Sequence, residues 1–227
     1  MPSITENVAA VRAKIAAAAA RSGRNADDVT LVAVSKYVGA AEISELLAAG
    51  CRDLGESRPQ TLWDKAAQFP DASIRWHLIG HLQTNKLDRT LPLCALVHSL
   101  DRESLIAPLQ ASARKQSLVV PVLLEVNISG DEAKHGFRPD ELEALLNRLA
   151  EQPNIAVRGL MGMSGLESDP AQTRREYASL RELRDRLRPK CPAAIQLDEL
   201  SMGMSGDYEI AIEEGATIVR VGSALFE

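Results

Sequence analysis

Eight times along the chain, a short aliphatic or β-branched run gives way to a segment whose apolar residues recur at helical spacing. Strand–helix alternation of this kind specifies a parallel sheet, because each helix carries the chain back to start the next strand in the same direction. The strand runs are almost continuously apolar, so both of their faces are expected to be covered. Eight such units in about 200 residues is the count of a closed barrel. The expected strands lie at residues 31–35, 52–55, 74–79, 95–98, 118–126, 155–161, 195–200 and 217–221.

The helical segments carry their own start and stop signals. Ser3 and Glu6 form a capping box ahead of Ile4, Val8, Val11 and Ile15, and Gly23 ends that first helix. Pro59 opens the helix expected at residues 59–69, and Pro139 opens one with Leu142, Leu145, Leu146 and Leu149 on a single face. Asp169 and Pro170 make an N-cap and first-turn pair for the helix holding Tyr177, Leu180, Leu183 and Leu187. The expected fold class is therefore α/β: a single (β/α)8 TIM barrel over residues 1–227 with an extra N-terminal helix. A doubly wound open sheet is the alternative, but no GxGxxG follows the first strand.

Charge narrows the partners. The net charge is -5 with no dense run of Lys or Arg, which argues against nucleic acid and against anionic membrane surfaces. No stretch reaches the roughly 18 apolar residues of a membrane-spanning helix, and Pro2, Ser3 and Glu6 do not open a secretory signal. Cys51, Cys94 and Cys191 form no disulfide framework, so a cytoplasmic location is expected.

In a (β/α)8 barrel the site is built at the C-terminal ends of the strands. Those ends read Lys36, Glu56-Ser57, His77 to His81, Ser99 to Asp101, Asn127, Met161 to Met163, Ser201 to Ser205 and Arg220 to Ser223. Lys36 follows Val32, Ala33, Val34 and Ser35 directly, whereas the other six lysines sit in polar or helical surroundings. A lysine partly desolvated there would be a nucleophilic amine able to form a Schiff base; a lysine snorkelling from a strand end is the other reading. The loops after strands seven and eight, where such barrels bind phosphate, contain Ser201, Met204, Ser205, Gly206 and then Gly222, Ser223. Arg220 lies within the last apolar run and needs a partner, either a structural carboxylate or a ligand atom. The echo of residues 161–165 at 202–206 (Met-Gly-Met-Ser-Gly) fits shared barrel geometry, or two turns facing one site. His77 and His81 are four apart on a strand-like run, so they make no helical metal pair, although His77 could line a pocket; no metal site is expected. No Gly-x-Ser-x-Gly elbow is present.

Taken in order, these residues resemble the pyridoxal-phosphate homeostasis protein family. The resemblance rests on Leu31-Val-Ala-Val-Ser-Lys36, Gly55-Glu-Ser57, the segment from Trp76 to Lys86, Glu125 to Ile128 with Lys134 to Phe137, Arg158 to Met161, Leu200 to Ser205 and Val219 to Gly222. It implies an alanine-racemase-like barrel that binds pyridoxal 5'-phosphate as an internal aldimine on Lys36. It also implies cofactor contacts from Val34, Ser57, His77, Met163, Ser201, Met204, Ser205, Arg220, Gly222 and Ser223. Arg220 falls where an Arg faces the pyridine nitrogen, a charge that disfavours a pyridinium and weakens the electron sink. Ser57 departs from the family's usual Asn, and Phe226-Glu227 from its usual Phe-Gly and longer tail. The implied function is non-catalytic carriage of the cofactor, with apo-enzymes as recipients and a monomeric state. A racemase-like enzyme, or an aldolase using Lys36, is the alternative. No catalytic residue is assigned: the second domain that would supply a racemase tyrosine is not seen, and neither Tyr37 nor Tyr208 can replace it.

Overall fold

A computed structural model describes residues 2–70, 73–129, 135–165 and 167–227. Lys134, part of the resemblance above, lies outside them. The eight strands are β1 (Thr30–Val34), β2 (Asp53–Glu56), β3 (Arg75–Leu78), β4 (Cys94–Leu100), β5 (Val120–Glu125), β6 (Ile155–Met161), β7 (Glu199–Ser201) and β8 (Ile218–Val221). They close in sequence order into one parallel barrel, with β1 hydrogen-bonded to both β2 and β8.

The helices are α1 (Ile4–Arg21), α2 (Ala40–Ala48), α3 (Pro59–Gln68), α4 (Leu87–Thr90), α5 (Ile106–Lys115), α6 (Leu142–Leu149), α7 (Pro170–Leu187) and α8 (Tyr208–Glu213). The capping box forms as the spacing predicts: the Glu6 amide donates to Ser3 Oγ at 3.2 Å and the Ser3 amide donates to Glu6 Oε2 at 2.7 Å. Asp169 caps α7 by accepting from the Gln172 amide at 2.7 Å. Several boundaries differ from expectation, most of them by one or two residues. β4 runs two residues past its expected end because Ser99 and Leu100 are buried. β7 shrinks to three residues because residues 195–198 enter as a loop, with the Ile195 amide bonded to Pro192 O. α6 starts at Leu142, since residues 139–141 form a turn in which the Glu141 amide bonds to Arg138 O.

Alternation along each strand sorts the core into two compartments. Ala33, Leu54, Leu78, Val97, Leu124, Leu160, Leu200 and Val219 pack outward into the large cluster shared with the helices. Val32, Leu96, Leu123, Met161 and Ile218 form a separate apolar cluster inside the barrel. The interior is not wholly apolar: His77, His98, Ser201 and Arg220 are buried at 5% exposure or less. No helix is long and apolar enough to cross a membrane among the described residues.

Candidate functional site

A cavity of about 570 Å³ opens at the C-terminal mouth of the barrel, within the size range of small-molecule sites. Its lining includes Val34, Lys36, Ser57, Met163, Met204, Ser205, Arg220, Gly222 and Ser223. Nine of the eleven residues expected at the site therefore meet in one place.

Lys36 sits in the turn just after β1, because the strand ends at Val34 and Ser35 is the last buried residue. It is exposed at the cavity rather than desolvated in the strand, with Nζ 4.8 Å from the centre of the Tyr37 ring. The residue before it is clamped. Lys65 Nζ donates to Ser35 O at 2.6 Å and to Glu56 Oε1 at 2.7 Å, and Ser35 Oγ donates to the same carboxylate oxygen at 2.6 Å. Glu56 is fully buried, and its Oε2 lacks a hydrogen-bond partner among the described residues. Glu56 thus serves the strand end instead of lining the cavity.

The two loops expected to bind phosphate are tied to each other. Ser205 Oγ accepts from the Gly222 amide at 3.0 Å and, more weakly, from the Ala224 amide at 3.5 Å. These amides point at a shared acceptor, the arrangement a bound anion uses. The first turn of this loop admits only glycine at position 203. Gly203 has φ +92°, and a Cβ there would stand 2.6 Å from that of Ala211. The Met-Gly-Met-Ser-Gly echo divides its methionines the same way in both copies. Met161 and Met202 are buried, while Met163 and Met204, 38% and 37% exposed, line the cavity. Asp207 joins the two copies by accepting from Ser164 Oγ at 2.9 Å and from the Met204 amide at 2.6 Å, and it also accepts from Tyr177 OH at 2.8 Å.

Arg220 reaches the cavity from inside the barrel wall. It is 4% exposed and has neutral partners: Nη1 donates to Ser201 Oγ at 2.6 Å, Nη2 to Gly162 O at 3.1 Å. Burial lowers its pKa from the usual value, opposed by the field of Tyr177, Glu125 and Asp207. A guanidinium with neutral partners keeps donors available for a ligand at the cavity.

Ser201 and His77 stand elsewhere. Ser201 is fully buried beneath Arg220 and does not line the cavity. His77 points inward from β3, bonding His98 Nε2 through Nδ1 at 2.9 Å and Asp53 Oδ1 through Nε2 at 3.0 Å. It borders a second cavity of about 410 Å³ at the N-terminal mouth. Strand alternation placed both residues on the inner face, but the sequence gives no sign of depth along the barrel axis.

Other lining residues escaped the sequence reading. Tyr37 and Val38 follow Lys36 on the turn, and Phe226 and Glu227 close the wall. Asn7 on α1 holds that last segment by donating Nδ2–H to Glu227 O at 3.0 Å. Across the rim, Glu125 ends β5 with its carboxyl pushed up to about 7 by burial and by Asp101, against the pull of Arg220 and His135. His81, Asp101 and His135 could present ligand atoms to one metal ion. There, Arg102 already supplies the positive charge, donating to Asp101 Oδ1 at 2.6 Å.

The family model for the alanine racemase N-terminal domain matches residues 7–227. A pyridoxal phosphate homeostasis protein of Aquifex aeolicus is 41% identical over 97% of this chain and 96% of its own length. The structure of PipY of Synechococcus elongatus with pyridoxal phosphate bound superposes with a TM-score of 0.87 at 34% identity, covering 99% of this chain and all of that PipY chain. Alanine racemase of Clostridium difficile shares the fold at 16% identity, with a TM-score of 0.72 over 88% of this chain and 55% of its own. The chain belongs to the alanine racemase N-terminal domain family and, within it, to the pyridoxal phosphate homeostasis proteins.

Proposed function

We propose that the C-terminal cavity binds pyridoxal 5'-phosphate, anchored covalently through Lys36, and that the protein carries the cofactor without turning over a substrate. The observation that supports this most is the convergence of Lys36, the Ser205–Gly222 amide nest and the buried Arg220 on one cavity. The bound group supplies an aldehyde for the Lys36 amine, a phosphate and a pyridine ring. Ser205, Ser223 and the Gly222 amide would hold the phosphate, and Arg220 would meet the ring nitrogen as a donor. Val34, Ile79, Met163 and Met204 supply apolar walls that would shield the ring from water. The PipY complex and the names of the relatives support the same ligand.

Carriage is favoured over catalysis by what faces Lys36. The nearest tyrosine, Tyr37, is 88% exposed, and Tyr177 is directed away to Asp207. A proton-transfer catalyst needs a second group held in reach of the reacting atoms. In this reading residues 1–227 act as one cofactor-binding barrel, monomeric and cytoplasmic, and apo-enzymes that use the cofactor are the recipients.

The test is a titration of the purified protein with pyridoxal phosphate, followed by visible spectroscopy. The wild-type protein should turn yellow with a saturable band, and Lys36→Ala should lose the band while keeping its circular dichroism. An unchanged band in that variant would remove Lys36 from the site. Sustained racemisation or aldol cleavage of an amino acid by the yellow protein would replace carriage with catalysis.

A further inference from the structure

We infer that His98 and His77 are positioning residues for Arg220, forming a one-way hydrogen-bond chain that runs through the barrel from the C-terminal cavity to Asp53 at the opposite mouth. The inference takes from the proposed function that Arg220 faces the cofactor. The chain itself is a property of the protein alone.

Its direction follows from which groups can donate. A guanidinium has no acceptor, so Ser201 Oγ accepts from Arg220 Nη1 at 2.6 Å. At the far end Asp53 accepts. Burial pushes its carboxyl up, but the bonds from His77 and Arg75 outweigh this and hold it below the ordinary value. His77 Nε2 therefore donates to Asp53 Oδ1 at 3.0 Å. Between these ends lie two contacts of 2.9 Å, Ser201 Oγ to His98 Nδ1 and His98 Nε2 to His77 Nδ1.

His98 is fully buried, and its pKa is driven well below the ordinary value by that burial and by the neighbouring His77 and Arg220. Neutral His98 donates from one ring nitrogen only. If Nδ1 donated, Ser201 Oγ would accept twice and its own proton would be left without a partner in a fully buried position. If Nε2 donates, every proton is placed. Ser201 donates to His98, His98 to His77, and His77 to Asp53. Both histidines are then Nε2–H tautomers, and Arg220 is held at Ser201 by a hydroxyl whose only proton points away from it.

Other charges face the chain at both ends. Arg75 donates Nε–H to Asp53 Oδ1 at 2.7 Å, and Arg158, Asp198 and Glu199 border the N-terminal cavity. Glu125, Tyr177 and Asp207 act on Arg220 at the other end. Ionised Asp53 is the charged acceptor that fixes the order from the far end. Asn in its place removes that charge and can meet His77 Nε2 with either its oxygen or its amide nitrogen, so only the Arg220–Ser201 end still sets the order.

Two experiments decide this. In the ligand-free protein labelled with 15N at histidine, long-range proton–nitrogen correlation should show His77 and His98 both protonated at Nε2. A protonated Nδ1 on His98 overturns the chain whatever the cavity binds. In the protein loaded with pyridoxal phosphate, Asp53→Asn and Ser201→Ala should each move the pH midpoint of the visible band by about one unit. Ser201→Thr, which keeps the hydroxyl, should restore it, and Thr30→Val at the same mouth but outside the chain should leave it in place. Folded Asp53→Asn and Ser201→Ala proteins with the wild-type midpoint would refute the coupling. A protein that takes up no cofactor would refute the proposed function and leave the tautomer result standing.

Discussion

The two mouths of this barrel carry charge in opposite ways. At the N-terminal mouth Asp53 pairs with Arg75 and Asp198 with Arg188, while Glu199 accepts from the Thr217 hydroxyl and Arg158 donates to the Gln196 side chain. At the C-terminal mouth Lys36 has no ion-pair partner among the described residues, Arg220 has neutral ones, and a nest of amides is held by one serine oxygen. A buried guanidinium with no direct carboxylate partner is costly to maintain for stability alone. The contrast separates a mouth arranged to hold the fold from a mouth arranged to receive an anionic ligand.

Substitutions should reproduce that contrast, in descending order of effect. Just below the C-terminal mouth, Lys65→Met leaves the fully buried Glu56 without its cation and should cost about 3–5 kcal/mol in urea unfolding. The double variant Lys65→Met/Glu56→Leu should recover most of that; a double variant as unstable as the single one would show that packing dominates. Glu125 gives a pH signature. Its carboxyl is raised from 4.5 to about 7, so the folded protein holds a proton that the unfolded chain releases. Its stabilising contribution is complete below about pH 4.5 and is lost as pH rises to about 7, by about 3 kcal/mol. Glu125→Gln should flatten that part of the stability–pH curve, and an unchanged curve would show the group to be ordinary. Ser205→Ala removes the acceptor shared by the two loops and should weaken cofactor retention roughly tenfold with little change in Tm. At the N-terminal mouth Arg75 is 60% exposed at its side chain, so Arg75→Ala should shift stability by no more than about 1 kcal/mol. A larger loss would erase the distinction between the mouths.

The barrel was legible because its signals are local and repeated. A capping box, Pro59, the Asp169–Pro170 pair and eight apolar runs each act within a few residues. Where boundaries moved, non-local packing decided: burial extended β4, and the loop entering β7 shortened it. The C-terminal mouth was legible for the same reason, since a strand end locates a residue on the barrel rim without further information. What sequence could not give was depth and pairing. His77 and Ser201 share the inner face with Arg220 but lie below the cavity. Lys65 looked like an ordinary helical lysine, yet its long side chain crosses to the end of β1 and clamps the residue before Lys36. Lys36 differs from expectation in its surroundings: β1 ends at Val34, so the amine meets solvent at the cavity instead of the barrel wall.

One measurement tests most directly whether the C-terminal mouth holds pyridoxal phosphate through Lys36. Borohydride reduction of the loaded protein, followed by digestion and peptide mass mapping, should place a single pyridoxyl group on Lys36. A pyridoxyl group on Lys65 or another lysine, with Lys36 unmodified, would contradict it.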